Sequence, residues 1–109
     1  MENNMVTNNY AENNCNIVEK FFSTNFSNFS VSYKYMYSPY WHIILEYQYV
    51  KIEVDGDIGF TIDISIDNSK YPLWQYDRSI VGKTKTTDEN ILYQLSVLKR
   101  FLDEVGYSE

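Results

Sequence analysis

The apolar pattern changes period along the chain, and each change marks an element. Val31, Tyr33, Tyr35 and Tyr37 alternate with Ser32, Lys34 and Met36, the two-residue period of a strand. Ser38-Pro39 ends that run as a turn. From Trp41 to Val54 the chain is rich in β-branched and aromatic residues, but its phase shifts. Trp41, Ile43 and Leu45 hold odd positions, whereas Val50, Ile52 and Val54 hold even ones. A slip of one residue moves every side chain of a strand to the other face, so a bulge or bend over Glu46 to Tyr49 is expected. Asp55-Gly56 predicts the next hairpin turn, because primed turns need positive φ. On the return strand Ile58, Phe60, Ile62, Ile64 and Ile66 point one way and Gly59, Thr61, Asp63, Ser65 and Asp67 the other, so the sheet has one buried and one wet face.

Helical spacing brackets these strands. Ile17, Val18, Phe21 and Phe22 form a short stripe whose helix starts at Asn13 or Asn14, and Phe26 and Phe29 anchor the loop that follows. Residues 1–12, with four asparagines and little to bury, are expected to be a flexible N-terminus. Tyr71 to Tyr76 is expected along a sheet edge. Thr86-Thr87-Asp88-Glu89 reads as a capping box with Thr86 as the cap, and Ile91, Leu95, Leu98, Leu102 and Val105 carry the second helix to a stop at Gly106. Arg100 with Glu104 is an expected surface pair on it. The expected fold class is α+β, a single domain over residues 13–109. In it one antiparallel sheet of four to five strands carries an N-terminal and a C-terminal helix on the Ile58 to Ile66 face.

Composition narrows the class of function. A chain of 109 residues has room for one core, and a net charge of -6 disfavours nucleic acid and anionic membrane while favouring a basic protein. Cys15 is the only cysteine, which rules out an internal disulfide and a cysteine-based metal site. No segment approaches the roughly 18 apolar residues of a membrane span, and the first residues lack the basic and apolar blocks of a secretory signal. A cytoplasmic location is expected.

Candidate chemistry is thin. His42 is the only histidine, so no histidine pair can bind a metal, and Cys15 with His42 has no local nucleophile signature. Asp55-Gly56-Asp57 lacks the rest of a calcium loop, and Gly82-Lys83-Thr84 lacks the upstream glycine of a phosphate loop. Asp63 and Asp67, four apart on one strand face, are either a carboxylate pair for acid/base work or solvated sheet surface. No cofactor and no metal are expected.

The 11 tyrosines are the strongest signal. Tyr33, Tyr35 and Tyr37 share a face, and Tyr47 and Tyr49 continue the row around the expected bend. Two placements are open. Either they pack the core with their hydroxyls at its rim, or they lie on the wet face beside Glu53, Asp55, Asp57, Asp63 and Asp67 as an acidic, aromatic patch suited to a basic protein. Trp74, Tyr76 and Asp77, in the irregular segment, form a second candidate patch.

In size, acidity, the aromatic strands from Tyr33 to Phe60 and the closing amphipathic helix from Thr87 to Val105, the chain resembles the small acidic immunity proteins that bacteria encode beside polymorphic toxins, including those of contact-dependent growth inhibition systems. The resemblance implies a non-enzymatic inhibitor that binds a cognate toxin domain, commonly a basic nuclease, with no nucleic-acid or membrane partner of its own. It carries over no site residue and leaves the oligomeric state open. The alternative is a small α+β ligand-binding protein or enzyme, with Tyr35, Trp41, Tyr47 and Trp74 around a pocket and Asp63 or His42 supplying polar chemistry.

Overall fold

The computed structural model describes residues 2–56 and 59–106, with side chains from residue 10 onward. Helix α1 spans Glu2–Asn25 and is followed by five strands, β1 Ser30–Tyr37, β2 Tyr40–Tyr47, β3 Val50–Gly56, β4 Phe60–Ile66 and β5 Ser69–Pro72. Then come a one-turn helix α2 (Leu73–Tyr76), a 3-10 turn (Arg78–Gly82) and helix α3 (Asp88–Glu104). The strands form one antiparallel sheet in chain order, with α1 and α3 packed against it, so the α+β architecture matches the sequence reading.

The phase shift between Leu45 and Val50 has a different cause from the expected bulge. Tyr47 pairs with Val50 across a two-residue turn at Gln48-Tyr49, and Gln48 takes a positive φ of 55°. In a hairpin closed that way an odd position always faces an even one: Leu45 meets Ile52 and Ile43 meets Val54. Both sets therefore lie on one face, and the single bent strand is two straight ones. Asp67-Asn68, with φ of 54° and 70°, makes another two-residue turn between β4 and β5, here with both central residues at positive φ.

Asp55 and Gly56 do not form the turn assigned to them. The ladder continues through them, Asp55 opposite Thr61 and Gly56 opposite Phe60, and Asp57 and Ile58 lie outside the described residues. Gly56 is required for a reason other than φ. A Cβ there would stand 2.0 Å from the indole Nε1 of Trp41, so the glycine lets that ring lie flat on the strand.

The inner face carries Trp41, Ile43, Leu45, Val50, Ile52, Val54, Phe60, Ile62 and Ile64, all buried. Helix α1 covers it with Ala11, Cys15, Val18 and Phe22, and α3 with Ile91, Leu95, Leu98 and Leu102, each set at three- and four-residue spacing. Each Val, Leu, Ile or Phe side chain so removed from water contributes about 1.5–3 kcal/mol before the entropic cost of ordering the chain. Phe22, Phe26 and Phe29 close one end of the core as mutually tilted rings 5.4–6.0 Å apart.

Two boundaries and one ion pair differ from the sequence reading. Asn13 sits within α1 rather than capping it; the helix backbone runs back to Glu2, Ala11 is 1% exposed, and the Tyr10 hydroxyl donates to the Thr86 carbonyl at 3.1 Å. The cap of α3 is Thr87, whose hydroxyl accepts the Asn90 amide at 3.2 Å, while Thr86 is buried. Arg100 pairs with Asp77, and Lys99 with Asp103 at 2.8 Å, in place of the expected Arg100 with Glu104. Gly106 ends α3 at a φ of 87°, as expected of a C′ glycine.

Candidate functional site

Alternation sends the remaining side chains of the sheet outward, and no helix lies over them. Every residue of β1 is exposed: it is an edge strand, and α1 meets it at its rim, where Lys34 pairs with Glu19 at 2.7 Å. Its register places Tyr33 opposite Ile44, Tyr35 opposite His42 and Tyr37 opposite Tyr40, on the outer face. These tyrosines are 49%, 48% and 68% exposed, which decides the placement left open by the sequence: they do not pack the core. Tyr40, 45% exposed, joins them. It was legible in retrospect, since a two-residue turn at Ser38-Pro39 must pair Tyr37 with Tyr40.

Beside this aromatic flank stands an acidic centre. His42 lies in the middle, with Nε2 3.0 Å from Glu53 Oε2 and Nδ1 3.8 Å from Asp55 Oδ1, and the Tyr33 ring meets its imidazole edge-on at 5.6 Å. Glu53 is directly opposite Asp63 across the β3–β4 ladder. Like charges facing each other across a sheet destabilise it. Burial, reinforced by Glu53 and Asp55 against the opposing pull of Lys70, holds the Asp63 carboxyl above the usual carboxylate range.

The structure thus brings together Tyr33, Tyr35, Tyr37, Glu53, Asp55 and Asp63, and it separates the other candidates. Asp57 lies outside the described residues. Asp67 is in the β4–β5 turn, where its amide donates to the Tyr49 carbonyl at 3.1 Å, so the Asp63/Asp67 carboxylate row does not exist. Tyr49 belongs to the neighbouring turn, and Tyr47 is on the inner face, its ring 5.5 Å from Phe29. Both were misplaced because the expected bend is a turn. Trp74, Tyr76 and Asp77 lie apart from the open face, around α2. Tyr76 stacks edge-on against Phe101 at 5.1 Å, Arg100 sits over its ring, and the Asp77 carboxylate accepts the Ser79 amide at 2.9 Å and pairs with Arg100. Two of these three side chains are therefore spent on internal contacts.

Neither catalytic constellation weighed in the sequence is assembled. Cys15 is fully buried on the inner side, where burial pushes its thiol up to about 11, and His42 is on the outer face. Tyr35, Trp41, Tyr47 and Trp74 do not surround a common cavity: Tyr35 is on the open face, Trp41 in the core, Tyr47 against Phe29 and Trp74 beside Arg78. Among the described residues no three of His, Cys, Asp and Glu converge in a way that would hold a metal ion, and no helix is long and apolar enough to cross a membrane. Comparison with protein-family models, with curated proteins and with solved structures finds nothing that matches this chain, so the site is read from its own residues.

Proposed function

We propose that this protein is a non-enzymatic inhibitor that docks a basic protein, its cognate toxin domain, on the open face of its sheet. The observation that carries the reading is the uncovered patch in which Tyr33, Tyr35, Tyr37 and Tyr40 border Glu53, Asp55 and Asp63. Tyrosines supply stiff amphipathic contact area, and a rigid ladder keeps them in place before binding, so little entropy is lost at the interface. The carboxylates select a basic partner and, with a net charge of -6, speed its approach. Against a nuclease, carboxylates spaced along neighbouring strands stand where backbone phosphates would otherwise sit.

The local energetics agree with a face kept for binding. Glu53 opposite Asp63 is an unfavourable pair in the free protein, and a partner's Lys or Arg between them would relieve it. Sites that break a local rule of sheet pairing are where function is expected, and here His42 and Lys70 offset the conflict only in part.

The experiment is co-purification of the tagged protein with the product of the adjacent upstream gene, with growth of cells making that product measured with and without this chain. A tight pair with rescued growth supports the reading; no pair and no toxicity sink it. Glu53→Lys with Asp63→Lys is expected to slow association at least about tenfold at low ionic strength, and raising salt should narrow the gap.

A further inference from the structure

The two edges of the sheet end differently. On the far side of β4, the short β5 finishes at Pro72, which has no amide hydrogen to offer, and the Phe60 amide donates to the Thr84 carbonyl at 3.0 Å. The chain's own segments close that edge. β1 has no such cover. It pairs with β2 alone, and among the described residues no backbone group bonds to its far side.

Register decides which groups stand free there. Tyr37 pairs with Tyr40 across the two-residue turn at Ser38-Pro39, and the residues that close such a turn exchange hydrogen bonds. By alternation the next bonded pairs are Tyr35 with His42 and Tyr33 with Ile44. The Gln48-Tyr49 turn agrees, since it directs the backbone of Leu45 and Ile43 to β3 and leaves His42 and Ile44 to β1. Lys34 and Met36 therefore turn both amides and both carbonyls to the open edge. Little guards this stretch against another strand. Its one charge, Lys34, is held by Glu19 at 2.7 Å, and the irregularity in the ladder falls between Val31 and Tyr33, at its margin. Met36, on the side of the sheet that elsewhere is core, is exposed.

We propose that this edge pairs with the same edge of a second copy of the chain, antiparallel about a two-fold axis at Tyr35, so that two five-stranded sheets run on as one. Symmetry and charge fix the occupant. The regular run between the irregularity and the turn is Tyr33 to Tyr37, and its centre is Tyr35. About that centre Lys34 faces Met36 of the second copy, and their free amides and carbonyls bond in both directions. Tyr33 then faces Tyr37 of the second copy and Tyr35 faces its own equivalent, aromatic pairs that favour a sheet. An axis moved one residue, to Lys34, would set two ammonium groups face to face. The contact is isologous, so it closes at two copies. Glu53, Asp55 and Asp63 stand on β3 and β4, away from the seam, and physiological salt screens their repulsion. The pairing is independent of the inhibitor reading, because the seam uses backbone and the tyrosine rings stay on the open face, where the two rows join.

The test is sedimentation velocity of the full-length protein without any partner, from about 1 μM to about 1 mM in roughly 0.15 M salt. The mass is expected to rise from 13.0 kDa toward twice that value. A midpoint of about 10–100 μM is expected, since one strand a side is smaller than the standard interface of about 1,600 Å². Cross-linking reads the register. Cys15 is buried, so an introduced surface thiol is the one that reacts in the native protein. Tyr35→Cys, oxidised with diamide, should form a disulfide dimer at least about tenfold faster than Tyr33→Cys or Tyr37→Cys, because the central unbonded pair stands about 4.5 Å apart at Cα, within disulfide reach. Mixing Tyr33→Cys with Tyr37→Cys should restore the fast rate. A mass of 13.0 kDa over the whole range overturns the proposal, and so does a dimer in which Tyr35→Cys links no faster than the other two.

Discussion

The two faces of the sheet share one backbone ladder and differ in every other respect. Ile64 and Asp63 are neighbours in β4, yet Ile64 is fully buried under the helices while Asp63 stands on the open face opposite Glu53. On the inner face the pairs between β2, β3 and β4 are apolar and mutually supportive, as in Leu45 with Ile52 or Val54 with Ile62. On the outer face the equivalent pairs include two facing carboxylates and a histidine hydrogen-bonded to one of them. The difference teaches where stability is made and where it is given up. One face stabilises the fold, and the other tolerates a local conflict that His42 and Lys70 offset only in part.

Truncation on the inner face should test that division most severely. Ile52→Ala is expected to lower unfolding free energy by about 3 kcal/mol, read from the urea midpoint, because Ile52 is fully buried and the core can only partly collapse around the void. A loss close to that of a surface substitution would contradict the assignment of this face as the core. Gly56→Ala should cost about 2 kcal/mol, since the new Cβ overlaps the Trp41 ring, and near-ultraviolet circular dichroism should report the displaced indole.

The outer face predicts smaller effects, and one of the opposite sign. The Asp63 carboxyl is held above its ordinary range, so the native state retains a proton that the unfolded chain gives up more readily. Its favourable contribution is complete below the unfolded carboxylate value and is lost as pH rises through the folded one. Asp63→Asn should therefore be more stable than the parent at pH 7 by about 0.5 kcal/mol, a magnitude discounted for its partial exposure, and the advantage should vanish at pH values below the ordinary carboxylate range. Equal stability of the two proteins across the whole pH range would remove the conflict from the comparison. Tyr35→Ala should change the midpoint least, by under about 0.5 kcal/mol, while weakening capture of the partner at least about tenfold. A large loss of stability there would mean that the tyrosine row supports the fold after all.

Much of the fold was legible, and the errors share a cause. The strand runs of β1 and β4, the stripe of α3 and its stop at Gly106 follow from period and turn chemistry, which act between near neighbours. The turn at Gln48-Tyr49 was missed because neither residue is the glycine or asparagine that usually marks positive φ, although the odd-to-even phase shift is itself the signature of a two-residue hairpin. That one misreading put Tyr47 and Tyr49 in the open-face row. Asp67 was misplaced for a similar reason, since the alternation of β4 appeared to run one residue into what is a turn. The α1 boundary was drawn at Asn13 because polar residues outnumber apolar ones before it. The small residue Ala11 is nonetheless buried there, its amide donating to the Ser38 hydroxyl at 3.2 Å.

By itself the sequence determined the α+β class, the single core, the acidic and tyrosine-rich composition and the chemistry available to it, because composition and periodicity are properties of neighbouring residues. Which face the tyrosines take, the opposition of Glu53 and Asp63, the removal of Cys15 from His42 and the open edge of β1 were decided only by the tertiary structure. Each depends on strand register or on which strand stands at the edge of the sheet, and those are set by contacts between residues distant in the chain.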